Sequence, residues 1–99
     1  MNAVVNNSGA AGDTTVITPG AGQKVRVHGY AIQAAGNTNV TFKSGTNALT
    51  GPLSASGSSS GIVSGYNPDG WFVGAPGEAF IVNSSGAVQV SGHVEYSLL

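Results

Sequence analysis

The chain has 99 residues and a net charge of −1, and it contains no cysteine. The length corresponds to one domain, and the absent cysteines exclude disulfides and thiolate metal sites. Only 7% of the residues are charged, against about 25% in a typical soluble domain. The basic side chains are Lys24, Arg26 and Lys43, so we expect no nucleic-acid partner. No run of about 18 apolar residues occurs, so we expect no membrane partner.

Residues 1–13 are polar and rich in Gly, Ala and Asn. They lack the basic and apolar regions of a signal peptide, so we expect the protein to be made in a cytoplasm. A segment of this composition is typical of a flexible N-terminal arm that becomes ordered only on docking. We therefore predict an arm over residues 1–13 and a single β-sandwich domain over residues 14–99.

Apolar residues occur in short groups rich in Val, Ile, Thr, Phe and Tyr, separated by turn signals. This spacing is typical of a sandwich or barrel rather than of helices. We predict an all-β fold, a small antiparallel β-sandwich that is jelly-roll-like, with about eight strands. The predicted strands cover residues 14–18, 23–34, 39–43, 48–55, 61–65, 71–73, 78–83 and 88–98.

The second predicted strand changes its pattern in the middle. Val25 and Val27 share one parity, whereas Tyr30 and Ile32 share the other. One extra residue in a strand re-aims the side chains that follow it, so we predict a β-bulge at Gly29.

Other local signals concern strand ends and turns. Pro52 makes the fourth strand an edge strand or a bulged one. Residues 56–60 form a Ser/Gly loop, and residues 67–70 (Asn-Pro-Asp-Gly) predict a tight turn. The last strand shows the clearest alternation, with its core-facing positions at Val88, Val90, Gly92, Val94, Tyr96 and Leu98.

The sequence contains no convincing catalytic or metal-binding pattern. Serines are abundant, but none lies in a Gly-x-Ser-x-Gly elbow, and Ser59 lies in the Ser/Gly loop. His28 and His93 both have the polar parity of their strands, so they can face the same side of a sheet. With Glu95 they form the best metal-ligand set that the chain offers. The alternative, which we favour, is two surface or interface histidines, and we predict no enzyme activity, cofactor or metal.

Trp71 and Phe72 form a large apolar pair directly after the predicted turn. Three roles are open: closing one end of the core, anchoring a subunit contact, or forming a sugar-binding platform. We take Trp71 and Phe72, together with Tyr66, His28 and His93, as candidate interface residues.

Several segments together resemble small structural proteins of tailed bacteriophages, of the capsid decoration or cement type. The resemblance is carried by residues 24–35, 41–45, 49–52, 70–72, 77–79 and 90–96. It implies a virion protein on the surface of a phage capsid, which binds the major capsid protein and stabilises the head. It also implies a homotrimer, docked by its N-terminal segment or by one end of the sandwich.

Two further functions are weighed against a capsid subunit. A tail or fibre module could bind host glycan through Trp71, Tyr66 and Asn67, because a glycan site needs an exposed aromatic ring beside amides. An enzyme is the third alternative, with no residue set to support it. Fold alone cannot choose among these functions, because sandwiches carry many of them.

Overall fold

A computed structural model describes residues 1–55 and 61–99 of the chain. Over these residues the regular structure is β throughout, and no helix capable of crossing a membrane is found. The predicted Ser/Gly loop over residues 56–60 lies outside the described residues. The ten strands are β1 Asn2–Asn7, β2 Gly12–Ile17, β3 Val25–Ala34, β4 Thr38–Ser44, β5 Asn47–Ala48, β6 Leu53–Ala55, β7 Ile62–Ser64, β8 Phe72–Val73, β9 Phe80–Ser84 and β10 Val90–Leu98.

The strands form two antiparallel sheets. Sheet A has the order β1-β10-β3-β7, with β8 also pairing β3, and sheet B has the order β2-β9-β4-β5, with β6 also pairing β4. Strands β5 and β6 pair with different parts of β4, and strands β7 and β8 pair with different parts of β3. Each of these two sets of short strands therefore corresponds to one interrupted strand. The first strand, β1, pairs with the last, β10, and the second strand, β2, pairs with the second-last, β9. This is the nested strand order of a jelly roll. The predicted all-β, jelly-roll-like sandwich of about eight strands is confirmed.

The core lies between the two sheets, and aromatic rings at one end connect them. Phe42 of sheet B contacts Tyr30 edge-on at 4.8 Å between ring centroids, and Phe72 at 5.7 Å. Both partners belong to sheet A, so this cluster ties the sheets together. The remaining core is aliphatic apart from Phe80, and consists of Val5, Ile17, Val25, Val27, Ile32, Ala34, Val40, Ala55, Phe80, Val82, Val90 and Val94.

The predicted irregularity in the second strand is a real bulge. Glu95 of β10 pairs with Gly29, whereas the next residue, Tyr96, pairs with Val27. His28 is therefore the extra residue, directly beside the glycine at which the bulge was predicted. The bulge keeps Val27 and Tyr30 both in contact with the core, and it turns His28 toward the outer face of sheet A.

The predicted N-terminal arm is wrong. Asn2–Asn7 pairs with β10 along its whole length, Gly12–Ile17 pairs with β9, and Val5 is only 1% exposed. The segment has low overall hydrophobicity because asparagines occupy most of its outward positions. Ala3 and Val5 nevertheless alternate inward, and together with backbone pairing this is sufficient for an edge strand.

Most strand boundaries differ from the predicted ones by one or two residues, and two of the differences need separate description. The fourth predicted strand is divided into β5 and β6 around Pro52, as an imino acid without an N–H donor requires. The last strand begins at Val90 rather than Val88. Within it, Gly92 has a φ of +148°, and a Cβ there would collide with the carbonyl oxygen of Ala31. Glycine is thus required at this position, where β10 pairs with β3.

Candidate interaction surface

The exposed hydrophobic residues are concentrated on one side of the sandwich. Within the described residues, every large hydrophobic side chain that is exposed belongs to sheet A or to a segment adjoining its strands. We call the outward side of sheet A, with these side chains, the sheet A face. On this outward side lie Val4, Val63, Tyr66, Trp71, Val73 and Leu99, whereas Met1, which is also exposed, has the inward parity of Ala3 at the end of the sheet.

One row of this face crosses all four neighbouring strands. Val4 pairs with His93, His93 with Ala31, and Ala31 with Val63. Residues directly opposite each other share a face, so the row points outward as a unit. The two valines at its ends are 71% and 70% exposed, about 14 Å apart at the usual strand spacing.

A second row lies toward the C-terminal end of β10. Val73 pairs with Arg26, and Arg26 pairs with Ser97. Beyond it, Leu99 exchanges backbone hydrogen bonds of 2.9 and 3.1 Å with Lys24. The sheet A face therefore combines exposed aliphatic side chains with two of the chain's few cations.

His28 fastens the loop between β7 and β8 to strand β10. Its Nδ1 lies 2.8 Å from the carbonyl oxygen of Asn67, and its Nε2 lies 2.8 Å from the hydroxyl of Ser97. Because a carbonyl oxygen only accepts, Nδ1 carries the proton, and in the neutral ring Nε2 accepts from Ser97. The ring also stacks on Tyr66, with centroids 5.2 Å apart.

A serine hydroxyl, an imidazole and a carbonyl in line are also the parts of an activated nucleophile. Acyl transfer would further need N–H donors aimed at the developing oxyanion. Lys24 and Leu99 exchange two backbone hydrogen bonds. Hydrogen-bonded pairs alternate with non-bonded pairs in an antiparallel ladder, so Arg26 and Ser97, two positions along, also exchange two backbone hydrogen bonds. The amide of Ser97 is therefore committed to the sheet, and the two hydrogen bonds of His28 join the loop between β7 and β8 to β10.

The loop between β7 and β8 is ordered by its own hydrogen bonds. The amide of Gly70 donates to the carbonyl of Asn67 at 2.9 Å, which confirms the predicted turn. The Asn67 side chain accepts from the amide of Asp69 at 3.0 Å, and Gly70 has a φ of +84°. The indole N–H of Trp71 donates to the carbonyl of Gly65 at 2.9 Å. Trp71 is thus held in one position although it is 49% exposed.

The structure separates the candidate interface residues into two groups. Phe72 points inward to the aromatic core cluster. Tyr66, Trp71 and His28 come together around the loop, and His93 lies further along the same face. Of the roles open to the Trp-Phe pair, Phe72 takes the core role and Trp71 stays on the surface.

The candidate metal set is not assembled. His28 contacts Ser97, which is four residues along β10 from His93, a separation of about 13 Å at the usual rise of a strand. Across the described residues, no group of three His, Asp or Glu side chains is placed to hold a metal ion.

Sequence reasoning missed the exposed aliphatic residues of the sheet A face. A signal for them exists, because each follows or precedes an inward apolar residue in or beside a strand. In a strand, neighbouring side chains point to opposite faces, so one member of an apolar doublet must face outward. The doublets are Val4 with Val5, Ile62 with Val63, Phe72 with Val73, and Leu98 with Leu99.

The outer side of sheet B has a different chemistry. Lys43 Nζ lies 3.0 Å from a carboxylate oxygen of Asp13, and the Asn83 amide donates to the same carboxylate at 2.7 Å. The hydrogen bond from Asn83, and then that from Lys43, lower the pKa of Asp13 below its ordinary value. Among the described residues, no large hydrophobic side chain of the sheet B strands is exposed.

Comparison with known proteins adds no constraint, since no family model, curated protein or solved structure matches the chain. A functional argument must therefore start from the geometry of the sheet A face.

Proposed function

We propose that this protein is a virion structural subunit, a capsid decoration or cement protein that binds the major capsid protein and stabilises a phage head. The observation that carries the proposal is the concentration of exposed hydrophobic side chains on the sheet A face. The phage-protein resemblance of the segments named above supplies the kind of assembly.

The chemistry of the face suits burial against another protein. Aromatic residues and Arg are enriched in protein interfaces, and Tyr66, Trp71 and Arg26 lie on or beside this face. Burying a valine side chain contributes about 1.5 kcal/mol or somewhat more, and Val4, Val63 and Val73 are all available for it. A contact of this size is modest for one copy.

Repetition over a shell makes modest contacts sufficient. Linked contacts convert each further binding event into an intramolecular one, so the combined affinity can exceed that of one contact by orders of magnitude. A homotrimer, as the resemblance implies, would present several copies of the sheet A face to one capsid lattice. The low charge content of 7% fits a protein whose surface is largely covered by neighbours.

The proposal is tested with purified phage heads. We expect mass spectrometry of separated virion parts to find the protein on heads, and heads lacking it to disassemble at lower temperature. Its presence only in tails would contradict the proposal.

Matched variants test the docking face itself. Val63→Asp places a charge on the sheet A face, whereas Asn39→Asp adds the same charge at an exposed position of β4 in sheet B. We expect Val63→Asp to weaken co-sedimentation with heads at least tenfold and Asn39→Asp to leave it unchanged. Equal binding by both variants would show that sheet A is not the contact.

Glycan binding on a tail or fibre is the second candidate. Its support is the pair of exposed rings on one loop, Tyr66 at 64% and Trp71 at 49%. The amide of Asn67, however, is engaged inside the turn, with hydrogen bonds to Asp69 and Gly70. A glycan-array signal that Trp71→Ala abolishes would favour this function over capsid docking.

A further inference from the structure

Strand β1 is an open edge of sheet A. It has six residues, and among the described residues it pairs with β10 alone. Strands β6 and β7, which flank residues 56–60 in the sequence, lie at the opposite edges of their sheets from β1 and β2. Natural sheets protect their edges with charges, prolines, bulges or very short strands, and β1, with the sequence Asn-Ala-Val-Val-Asn-Asn, has none of these.

The other edges carry such protection. The far edges of both sheets consist of strands of two or three residues, β5 to β8. Strand β2, at the near edge of sheet B, contains Asp13 and a register shift between Thr15 and Ile17. Among the edges of the sandwich, β1 is thus the long and uncharged one.

The hydrogen bonds of Met1, which directly precedes β1, fix which residues of β1 bond to β10. The amino group of Met1 donates to the carbonyl of Tyr96 at 2.8 Å, and the amide of Tyr96 donates back to the carbonyl of Met1 at 2.8 Å. In an antiparallel pair such exchanging residues alternate along the strand. Ala3 and Val5 therefore bond to β10, and the N–H and C=O groups of Asn2, Val4 and Asn6 point to the open edge.

We propose that the open edge binds β1 of a second copy of this chain, antiparallel, around a two-fold axis through Val4. Val4 then lies opposite Val4 of the second copy, and Asn2 opposite Asn6. These three pairs are the ones whose backbone groups point outward, so each pair can exchange two hydrogen bonds. Between these pairs, Ala3 of each copy lies opposite Val5 of the other without backbone hydrogen bonds. Sheet A then continues across both copies.

Side-chain parity is compatible with this register. Val4, Asn2 and Asn6 point to the outer face, and Ala3 and Val5 point to the core face. Pairing about Val4 places outward residues opposite outward residues, whereas a shift by one residue would mix the two faces. The two exposed valines cover each other, and the flanking pairs are neutral amides without like-charge repulsion.

Self-pairing is independent of the proposed virion function. It uses the edge of sheet A and shares only Val4 with the sheet A face, and a two-fold contact of this kind is isologous. Loss of head binding without loss of the pair, or the reverse, would separate the two proposals.

The first test measures mass in solution by light scattering. We expect the wild type at high concentration to contain an even number of the 9.7 kDa chains, two from pairing alone or six if each copy also belongs to the implied trimer. Val4→Pro removes a donor that points away from β10, so the fold is retained while pairing is lost. Val4→Lys places two ammonium groups across the axis and should also halve the mass. Val63→Lys, which adds the same charge at the far edge of sheet A, should stay paired.

Single cysteines test the register, because the chain has none of its own. Residues opposite each other in an exchanging pair have Cα atoms about 5.5 Å apart, within the range of a disulfide. Val4→Cys should therefore cross-link with itself on mild oxidation, whereas Val63→Cys should not. Asn2→Cys should cross-link efficiently only when mixed with Asn6→Cys.

Three results would overturn the inference. They are a wild-type monomer at all concentrations, a trimer that Val4→Lys leaves intact, and cross-linking of Asn2→Cys with itself as efficient as with Asn6→Cys. Circular dichroism melting of each variant distinguishes loss of pairing from loss of folding.

Discussion

The two outer sides of this sandwich differ although their inner sides are alike. Both sheets contribute Val, Ile and aromatic residues to one shared core. Outward, sheet B presents the Asp13 carboxylate bound by Lys43 and Asn83, whereas sheet A presents exposed valines, Tyr66 and Trp71. Folding alone does not require this asymmetry, because an outward side chain adds little to core packing. This difference is the observation on which the proposed contact through the sheet A face rests.

The largest expected effect on stability tests whether the two sheets unfold together. Phe42→Ala removes the ring that packs against Tyr30, Phe72 and Phe80 between the sheets. We expect a loss of about 3–5 kcal/mol in the free energy of unfolding, measured by urea denaturation. Phe42→Leu, which leaves a smaller void, should cost less. If the fluorescence of Trp71 and the far-UV signal were lost at different urea concentrations, the two sheets would not unfold together.

The next largest effect on stability concerns His28, which joins the loop between β7 and β8 to β10. His28→Ala removes the hydrogen bonds to Asn67 and Ser97 and the stack on Tyr66. We expect a loss of about 1–3 kcal/mol, because two hydrogen bonds and a ring stack of a buried side chain are lost together. Trp71 is the single tryptophan of the chain, so its fluorescence and quenching by iodide report the loop directly. Unchanged quenching in this variant would contradict the fastening role.

A smaller effect is expected on the polar side. The folded-state pKa of Asp13 is lowered from 3.8, so its ionised form stabilises the fold above that pH. This contribution is lost as the pH falls through the lowered folded-state pKa. Because the carboxylate is largely exposed, we expect Asp13→Asn to cost less than about 1 kcal/mol at neutral pH.

Measuring stability between pH 2 and 7 checks the sign of the Asp13 effect. The difference between wild type and Asp13→Asn should narrow toward the acid end and should shrink in 1 M salt. A difference that grows as the pH falls would exclude the ion pair as its source.

The smallest effect on stability belongs to the exposed valines. Val63→Thr keeps a β-branched side chain at a 70% exposed position, so we expect a change within about 0.5 kcal/mol. Thermal unfolding at low protein concentration measures it. A loss well beyond that value would mean that Val63 supports the fold, and the contrast between the two outer sides would lose its functional meaning.

Much of the fold could be predicted, and the exceptions have identifiable causes. The alternation from Val90 to Leu98 predicted β10, and the change of parity around Gly29 predicted the bulge now centred on His28. The N-terminal strand was missed because outward asparagines conceal the inward Ala3 and Val5. Backbone pairing with β10, which lies at the other end of the sequence, is what orders this segment.

The sequence by itself determined the class of fold, the main strands and the turn at residues 67–70, because period-two patterns and turn residues act locally. Only the tertiary structure decided which member of each apolar doublet faces outward, since alternation is the same whichever face meets the core. It also brought His28 to Ser97, 69 residues away, and aligned the outward pairs from Val4 to Val63. Those contacts depend on strand order and register, which long-range pairing sets and which no local pattern specifies.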